Sequence, residues 1–134
     1  MSLVLDSSVA LTWFLRDEMP ERALRTRIAI EGAVAPILWQ WEVANALLMS
    51  ERRGRLSPAD RVAAFSDLRA LPIEIDEDSF THAWTGTFAL AVAHRLTLYD
   101  AAYLELAQRR GLPLASLDGA LRAGAAAAGI ALLP

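Results

Sequence analysis

The chain has 134 residues, of which 54% are hydrophobic and 22% are charged, and its formal net charge is −3. This length and composition predict one globular domain over residues 1–134 and argue weakly against a general nucleic-acid coat protein. The absence of cysteine excludes disulfides, thiolate catalysis and zinc–cysteine sites, and the absence of lysine excludes a P-loop, because all 13 basic residues are arginine.

Short apolar runs alternate with helical patterns along the chain. In chain order, the predicted elements are a strand at Leu3–Asp6, helices at Ser8–Leu15 and Glu21–Glu31, a strand at Val34–Ala35, helices at Leu38–Arg53 and Pro58–Leu71, a strand at Ile73–Ile75, helices at Asp76–Arg95 and Leu98–Arg110, a strand at Leu114–Leu117, a helix at Gly119–Ala128 and a strand at Ile130–Leu133. This alternation predicts the α/β class, with a central parallel sheet of about five short strands flanked by helices in an α/β/α sandwich.

Four acidic residues lie inside runs that otherwise have the pattern of buried strand or helix: Asp6, Glu42, Asp100 and Asp118. An isolated carboxylate in an apolar setting is strongly disfavoured unless a partner or a metal offsets its charge. Two of the acids end predicted strands and two lie in the first turns of predicted helices, so all four can face the carboxyl edge of the sheet. One shared divalent cation would explain the whole set.

Each acid also has a structural explanation. Asp6, Asp100 and Asp118 could cap the helices that follow them, since Asp is favoured at that position. Glu42 could pair with an arginine or lie exposed on its helix. The spacing of the acids permits convergence at one site and leaves these alternatives open.

The acids lie in four motifs that together resemble those of PIN-domain ribonucleases, most closely the VapC toxins of bacterial toxin–antitoxin pairs: LVLDSSV, WEVANAL, LTLYDAAYLELA and LASLD. The resemblance covers essentially the whole chain, in order and spacing. It implies a PIN-like fold and a metal-dependent endoribonuclease that is neutralised by a cognate antitoxin. It also implies that the four acids hold Mg²⁺ or Mn²⁺, and that the protein forms a homodimer.

Three further residues match positions of the family that support the acidic cluster. Ser116 matches a hydroxyl position that hydrogen-bonds within the cluster, and Ser8 matches a position commonly filled by Ser or Thr. Asn45 lies three residues after the motif's glutamate, and so on the same helix face, where the resemblance implies a supporting or substrate-orienting role. Hard oxygen ligands of this kind suit Mg²⁺, which shares its shell with water and substrate phosphate.

Other functions fit the sequence less well. A signalling receiver would need a lysine near its acidic pocket, and this chain has none. A catalytically silent PIN-fold domain for protein binding and a DNA-cutting nuclease of the same type stay open as alternatives. His82 and His94 fall inside a predicted helix, which favours a surface or packing role, and no Gly-x-Ser-x-Gly motif indicates a serine hydrolase.

The sequence leaves the roles of the arginine and tryptophan clusters open between packing, RNA contact and antitoxin binding. No uncharged apolar run approaches the roughly 18 residues of a membrane helix. The N-terminus also lacks the basic region of a signal peptide. We therefore expect a cytoplasmic protein without membrane association.

Overall fold

A central sheet of four parallel strands organises the computed structural model, which describes residues 2–15 and 22–134. The strands are β1 (Val4–Leu5), β2 (Ala33–Pro36), β3 (Ile73–Asp76) and β4 (Leu114–Ala115), and their order across the sheet is β3-β2-β1-β4. Val4 pairs with both Val34 and Leu114, so β1 lies between β2 and β4.

The central strands are buried at every residue in β1, β2 and β4. Since successive side chains of a strand point to opposite faces, burial of consecutive residues means that both faces of the sheet are covered. The predicted parallel sheet flanked by helices is therefore confirmed.

The prediction of about five strands was wrong by one. The segment predicted as the fifth strand, Ile130–Leu133, makes only a single bridge, in which Leu132 pairs with Leu114. The backbone N–H of Leu114 donates to Ala131 at 2.9 Å, and that of Leu133 donates to Leu114 at 2.9 Å. Because β4 has only two residues, it offers no length of backbone on which a longer partner strand could form.

The helices follow the predicted order with small changes at their ends. They are α1 (Ser7–Thr12), α2 (Arg22–Glu31), α3 (Leu38–Arg52), α4 (Pro58–Ala70), α5 (Gly86–His94), α6 (Leu98–Arg110) and α7 (Gly119–Ala127). Ser57 caps α4 by accepting a hydrogen bond from the Asp60 N–H, and Gly111 ends α6 in the left-handed conformation at φ 65°. The predicted start of α2 at Glu21 lies outside the described residues.

The long helix predicted over Asp76–Arg95 was wrong. Instead, β3 extends through Asp76, a 3-10 helix spans Glu77–Phe80, and turns lead to α5. The hydroxyl of Ser79 donates to the Asp76 carbonyl at 2.7 Å and accepts from the Ile37 N–H at 3.1 Å, which holds the chain in this tight turn. His82 therefore lies in the turns before α5, with its Nδ1 3.8 Å from a carboxylate oxygen of Glu105.

Helix α6 is the most buried helix of the described chain. All residues from Ala101 to Ala107 are buried, and the helix packs against β1, β2 and β4. This packing fixes the N-terminal turn of α6, which contains Asp100, close to the end of the sheet. Within the described residues, no helix is both long and apolar enough to cross a membrane.

Candidate active site

The carboxyl ends of β1 and β4 bring Asp6 and Ser116 together. The register pairs Leu5 with Ala115, and the Asp6 N–H donates to the Ala115 carbonyl at 3.0 Å. The side chains then meet directly, because the Ser116 hydroxyl donates to Asp6 Oδ2 at 2.7 Å. Two strands that are remote in sequence thus place a carboxylate and a hydroxyl at one edge of the sheet.

Ser8 holds the same carboxylate from the other side. Its hydroxyl donates to Asp6 Oδ2 at 2.6 Å and accepts from the Leu117 N–H at 3.0 Å. Asp6 is only 5% exposed and begins α1 without capping it through its side chain. The capping explanation therefore does not account for the Asp6 carboxylate, whose partners are the two serine hydroxyls.

Asp118 follows β4 and does cap a helix. Its Oδ1 accepts from the Leu121 N–H at 3.1 Å at the start of α7, and its own N–H donates to Ser116 Oγ at 3.0 Å. Arg122 stabilises the same loop by donating to the Ser116 carbonyl at 2.9 Å. Within the described residues the second carboxylate oxygen of Asp118 accepts no hydrogen bond, so capping leaves it available.

Glu42 lies in the second turn of α3 and is held by hydroxyls rather than by an arginine. The buried Tyr103 of α6 donates a short hydrogen bond to Glu42 Oε1. The Ser7 hydroxyl lies 3.5 Å from the same oxygen and 3.4 Å from Asp6 Oδ1, between the two carboxylates. Burial raises the pKa of Tyr103 far above its ordinary value, so this hydroxyl stays protonated and remains a donor.

Sequence reasoning missed Ser7 and Tyr103. A signal for Tyr103 was present, since it lies three residues after Asp100 on a helix and therefore on the same face, in a stretch that is otherwise mostly aliphatic. Ser7 has no comparable signal, because its neighbour Ser8 matches the hydroxyl position equally well by type. Only the fold shows that Ser7 lies between the carboxylates of Asp6 and Glu42.

The pKa values show that the four acids share one electrostatic environment. Burial raises the pKa of Glu42, and the charges of Asp6 and Asp100 raise it further, against the hydrogen bond from Tyr103. Burial likewise raises the pKa of Asp100, with added contributions from Asp118 and Asp6. A negative charge raises the pKa of a carboxyl only from close by, so Asp6 and Asp100 lie near Glu42, and Asp118 and Asp6 lie near Asp100.

Among the described residues, no cation is paired with the acidic cluster. Across residues 2–15 and 22–134, none of the four acids forms an ion pair with an arginine. Asn45 lies three residues after Glu42 on α3, is exposed, and its side chain makes no hydrogen bond to the described residues. An acidic cluster that no described arginine pairs with, on a helix that also carries an exposed amide, is chemically suited to a divalent cation and a phosphate that approaches with it.

The carboxylates are not already arranged as a coordination shell. In the described part of the chain, no group of three or more acidic or histidine side chains is placed so that it could hold a metal ion. The donor type fits Mg²⁺ or Mn²⁺, but the side chains of the cluster would have to draw together around the ion. Hydroxyls rather than backbone N–H groups or arginines hold Asp6 and Glu42, and hydroxyls rotate readily to new partners.

The family model of the PIN domain matches residues 3–126, which is nearly the whole chain. The chain therefore belongs to the PIN-domain family. Among characterised proteins it is similar to Ribonuclease VapC3 of Pyrobaculum aerophilum, with 32% identity over 118 residues, 88% of this chain and 90% of that protein. It is also similar to Ribonuclease VapC3 of Mycobacterium tuberculosis, with 34% identity over 118 residues, 87% of this chain and 82% of that protein.

Two crystal structures show the same fold. PAE2754 from Pyrobaculum aerophilum superimposes with a TM-score of 0.69 at 23% identity, covering 92% of this chain and 84% of that one. FitAcB from Neisseria gonorrhoeae gives a TM-score of 0.65 at 18% identity, covering 100% of this chain and 97% of that one. At these identities the likeness establishes the architecture alone.

Proposed function

We propose that this protein is a metal-dependent endoribonuclease, with a catalytic site formed by Asp6, Glu42, Asp100 and Asp118. The observation that carries the proposal is the convergence of the acids: one Ser7 hydroxyl contacts both Asp6 and Glu42, the charges of Asp6 and Asp118 raise the pKa of Asp100, and none of the four acids is paired with an arginine among the described residues. Relatives that are named ribonucleases and match most of the chain support the choice of reaction.

The four acids would hold Mg²⁺ or Mn²⁺, assisted by Ser116 and Ser8 through Asp6. When bound, such an ion supplies a water that is nucleophilic at neutral pH and neutralises a non-bridging oxygen of the phosphodiester. The protein's own contribution is to bring the carboxylates together and to orient them.

Each supporting residue has a defined task in this proposal. The hydroxyls of Ser8 and Ser116 fix the Asp6 carboxylate by donating to Oδ2. The ion would bind Oδ1, where the Ser7 hydroxyl makes only a long contact of 3.4 Å. Tyr103 fixes Glu42 in the same way through Oε1. The exposed amide of Asn45 would contact the substrate phosphate or the bound water, since its side chain has no partner within the described residues.

Removal of divalent metal should abolish RNA cleavage, and addition of Mg²⁺ or Mn²⁺ to the EDTA-treated protein should restore it. The same ions should raise the free energy of unfolding, by about 2.7 kcal/mol at a free concentration one hundred times the Kd, because they relieve the repulsion between the carboxylates. Denaturation in urea with and without metal measures this gain. Since protons compete for carboxylates whose pKa values are raised, the gain should shrink as the pH falls. Cleavage that survives chelation would contradict the proposal.

Tyr103→Phe should move the acidic limb of the pH–rate profile to higher pH. In the native protein the hydrogen bond from Tyr103 lowers the pKa of Glu42. Without this bond Glu42 is harder to ionise. We expect kcat/KM at neutral pH to fall by about tenfold, the size typical of a lost hydrogen bond to a metal ligand. Tyr99→Phe is the matched control, because the Tyr99 side chain is exposed and its profile should stay that of the wild type.

We further propose that the protein is the toxin of a type II toxin–antitoxin system, acts in the cytoplasm, and is neutralised by a cognate antitoxin. The naming of its relatives as VapC3 supports this. A homodimer is also proposed, supported by an exposed apolar row at and before α5, where Trp84, Phe88 and Val92 follow one another at four-residue spacing. Sedimentation equilibrium tests the dimer, and relief of growth arrest by the co-expressed neighbouring gene tests the antitoxin.

A catalytically silent PIN domain is the second candidate, and one observation favours it. The carboxylates are not placed as a ready coordination shell in the described residues. A calorimetric titration with Mn²⁺ separates the two candidates, since a silent domain would take up no ion at the acidic cluster. Matched RNA and DNA substrates then decide between a ribonuclease and a DNA-cutting enzyme.

A further inference from the structure

An apolar pocket lies at the starts of the two helices that carry Glu42 and Asp100. It has a volume of about 180 Å³ and lies between the starts of α3 and α6, the 3-10 helix and the first turn of α5. Its lining includes Leu38, one helical turn before Glu42, and Tyr99, which directly precedes Asp100. The pocket is thus built from the same two helix starts that position two of the four acids.

Two exposed aromatic rings border this pocket. Phe80 is 76% exposed and Tyr99 is 66% exposed, although both could have been polar at no cost to the core. Among the described residues that line the pocket, none carries a charge, and the hydroxyl of Ser79 is already used within the protein. The chemistry therefore favours a flat, neutral group over a phosphate or a charged side chain.

The size of the pocket points to a single ring system. Pockets for drug-sized ligands begin at about 300 Å³, so a whole nucleotide with its sugar and phosphate would not fit. A phosphodiester held at the acids would place one adjoining base of the same strand beside Tyr99. Bases that are splayed out of a single strand stack on aromatic side chains, whereas bases within a duplex are not available for such stacking.

We propose that the pocket bordered by Phe80 and Tyr99 binds one unstacked nucleobase next to the cleaved phosphodiester. The inference rests on the proposed ribonuclease function. An apolar side chain from a second copy of the chain or from another protein is the competing occupant. The base is favoured because Tyr99 directly precedes Asp100 in α6, so a strand whose phosphate is held at the acids would carry a neighbouring base towards this ring.

The test uses a single-stranded RNA oligonucleotide that the wild-type protein cleaves, and a series in which one nucleotide at a time is abasic. An abasic nucleotide at one position beside the cleaved bond should lower the wild-type kcat/KM by about tenfold, the effect of one lost stacking contact. Phe80→Ala and Tyr99→Ala should each lower kcat/KM on the intact oligonucleotide by a similar factor. In these two variants the abasic nucleotide should lower kcat/KM little further, because the change in the enzyme and the change in the RNA remove the same stacking contact.

Three controls separate stacking from other effects. Tyr99→Phe keeps the ring, so the loss of kcat/KM caused by the abasic nucleotide should be as large in this variant as in the wild type. Phe88→Ala removes an exposed ring that does not line the pocket. In this variant the abasic nucleotide should lower kcat/KM by the same factor as in the wild type. A fully paired duplex of the same sequence should be cleaved at least about tenfold more slowly than the single strand by the wild-type protein.

The outcomes distinguish this inference from the proposed function. If the wild type cleaves RNA but no abasic position matters, or if the alanine variants keep the full abasic penalty, the pocket does not bind a base and the ribonuclease proposal stands. If the alanine variants lose self-association in sedimentation and keep the abasic penalty, a second copy occupies the pocket. If no RNA is cleaved, the ribonuclease proposal fails, and fluorescence anisotropy of the labelled abasic series with Ca²⁺ then tests the pocket alone.

Discussion

Asp6→Asn should lower RNA cleavage by roughly a thousandfold or more, which corresponds to about 4 kcal/mol of transition-state stabilisation. Asp6 is the most enclosed of the four acids and contributes to the raised pKa values of both Glu42 and Asp100. An amide at this position removes a negative charge that the proposed ion needs. Induced expression of the variant should also fail to arrest growth, in contrast to the wild-type protein.

The fold should survive this substitution. The amide oxygen of asparagine can still accept from the Ser8 and Ser116 hydroxyls, and the loss of one of several crowded negative charges relieves repulsion in the metal-free protein. The urea midpoint in EDTA should therefore be equal to or above that of the wild type. Asp60→Asn, at an exposed position on α4, is the matched control and should cleave normally. Full activity in Asp6→Asn would remove this residue from the catalytic site.

Arg109→Ala should destabilise the protein by roughly 3 kcal/mol or more, because the buried Glu105 loses its arginine and the buried Asp76 keeps only Arg110. Asp76 is only 1% exposed and accepts a hydrogen bond from Arg109 Nη2 at 2.5 Å, and Arg109 Nε also lies 2.7 Å from a Glu105 oxygen. Arg110 contributes a further contact to Asp76 at 2.9 Å. Urea denaturation at neutral pH measures the loss. An effect below about 1 kcal/mol would show that these contacts are exchanged for water at little cost.

The pH dependence gives a second check on the same contacts. Burial alone would raise the pKa of Asp76, but hydrogen bonds from Arg109 and Arg110 outweigh it and hold the pKa below its ordinary value. The stabilisation is therefore present above the unfolded pKa of about 3.9 and is lost as the pH falls through the lower folded value. The difference in the free energy of unfolding between the wild type and Arg109→Ala should therefore become smaller as the pH falls through this range. Arg61→Ala, which breaks a partly exposed pair with Glu51, should cost no more than about 1 kcal/mol at any pH.

Local sequence patterns predicted those parts of the fold whose causes are local. The bounds of α6 at Leu98 and Arg110, the cap at Ser57 and the αL glycine at Gly111 all follow from residues within one turn of the feature. The placement of Asp6 at the end of β1 follows from an apolar run that stops at the acid. The parallel sheet flanked by helices follows from the alternation of such runs.

The parts that were not predicted depend on contacts between remote residues. The segment after Ile75 has a helical pattern, yet Asp76 stays in the sheet because it pairs with Pro36 and binds arginines more than 30 residues away. In the same way, nothing near Glu42 indicates that a tyrosine from α6 holds it. The prediction of a fifth strand was wrong because its partner, β4, has only two residues and supports a single bridge. No feature of residues 130–133 reveals the length of that partner.

The enclosure of α6 on every side has a consequence for how this protein can diverge. Most helices of a small domain keep one solvent-exposed face on which substitutions are nearly neutral. The stretch from Ala101 to Ala107 has no such face. Replacement of Ala101 or Ala107 by a larger residue would force the helix away from the strands, at a typical cost of about 1–3 kcal/mol. Neutral substitutions should therefore accumulate in the outer helices, and changes in substrate specificity should arise there, while the sequence of this buried part of α6 stays nearly unchanged.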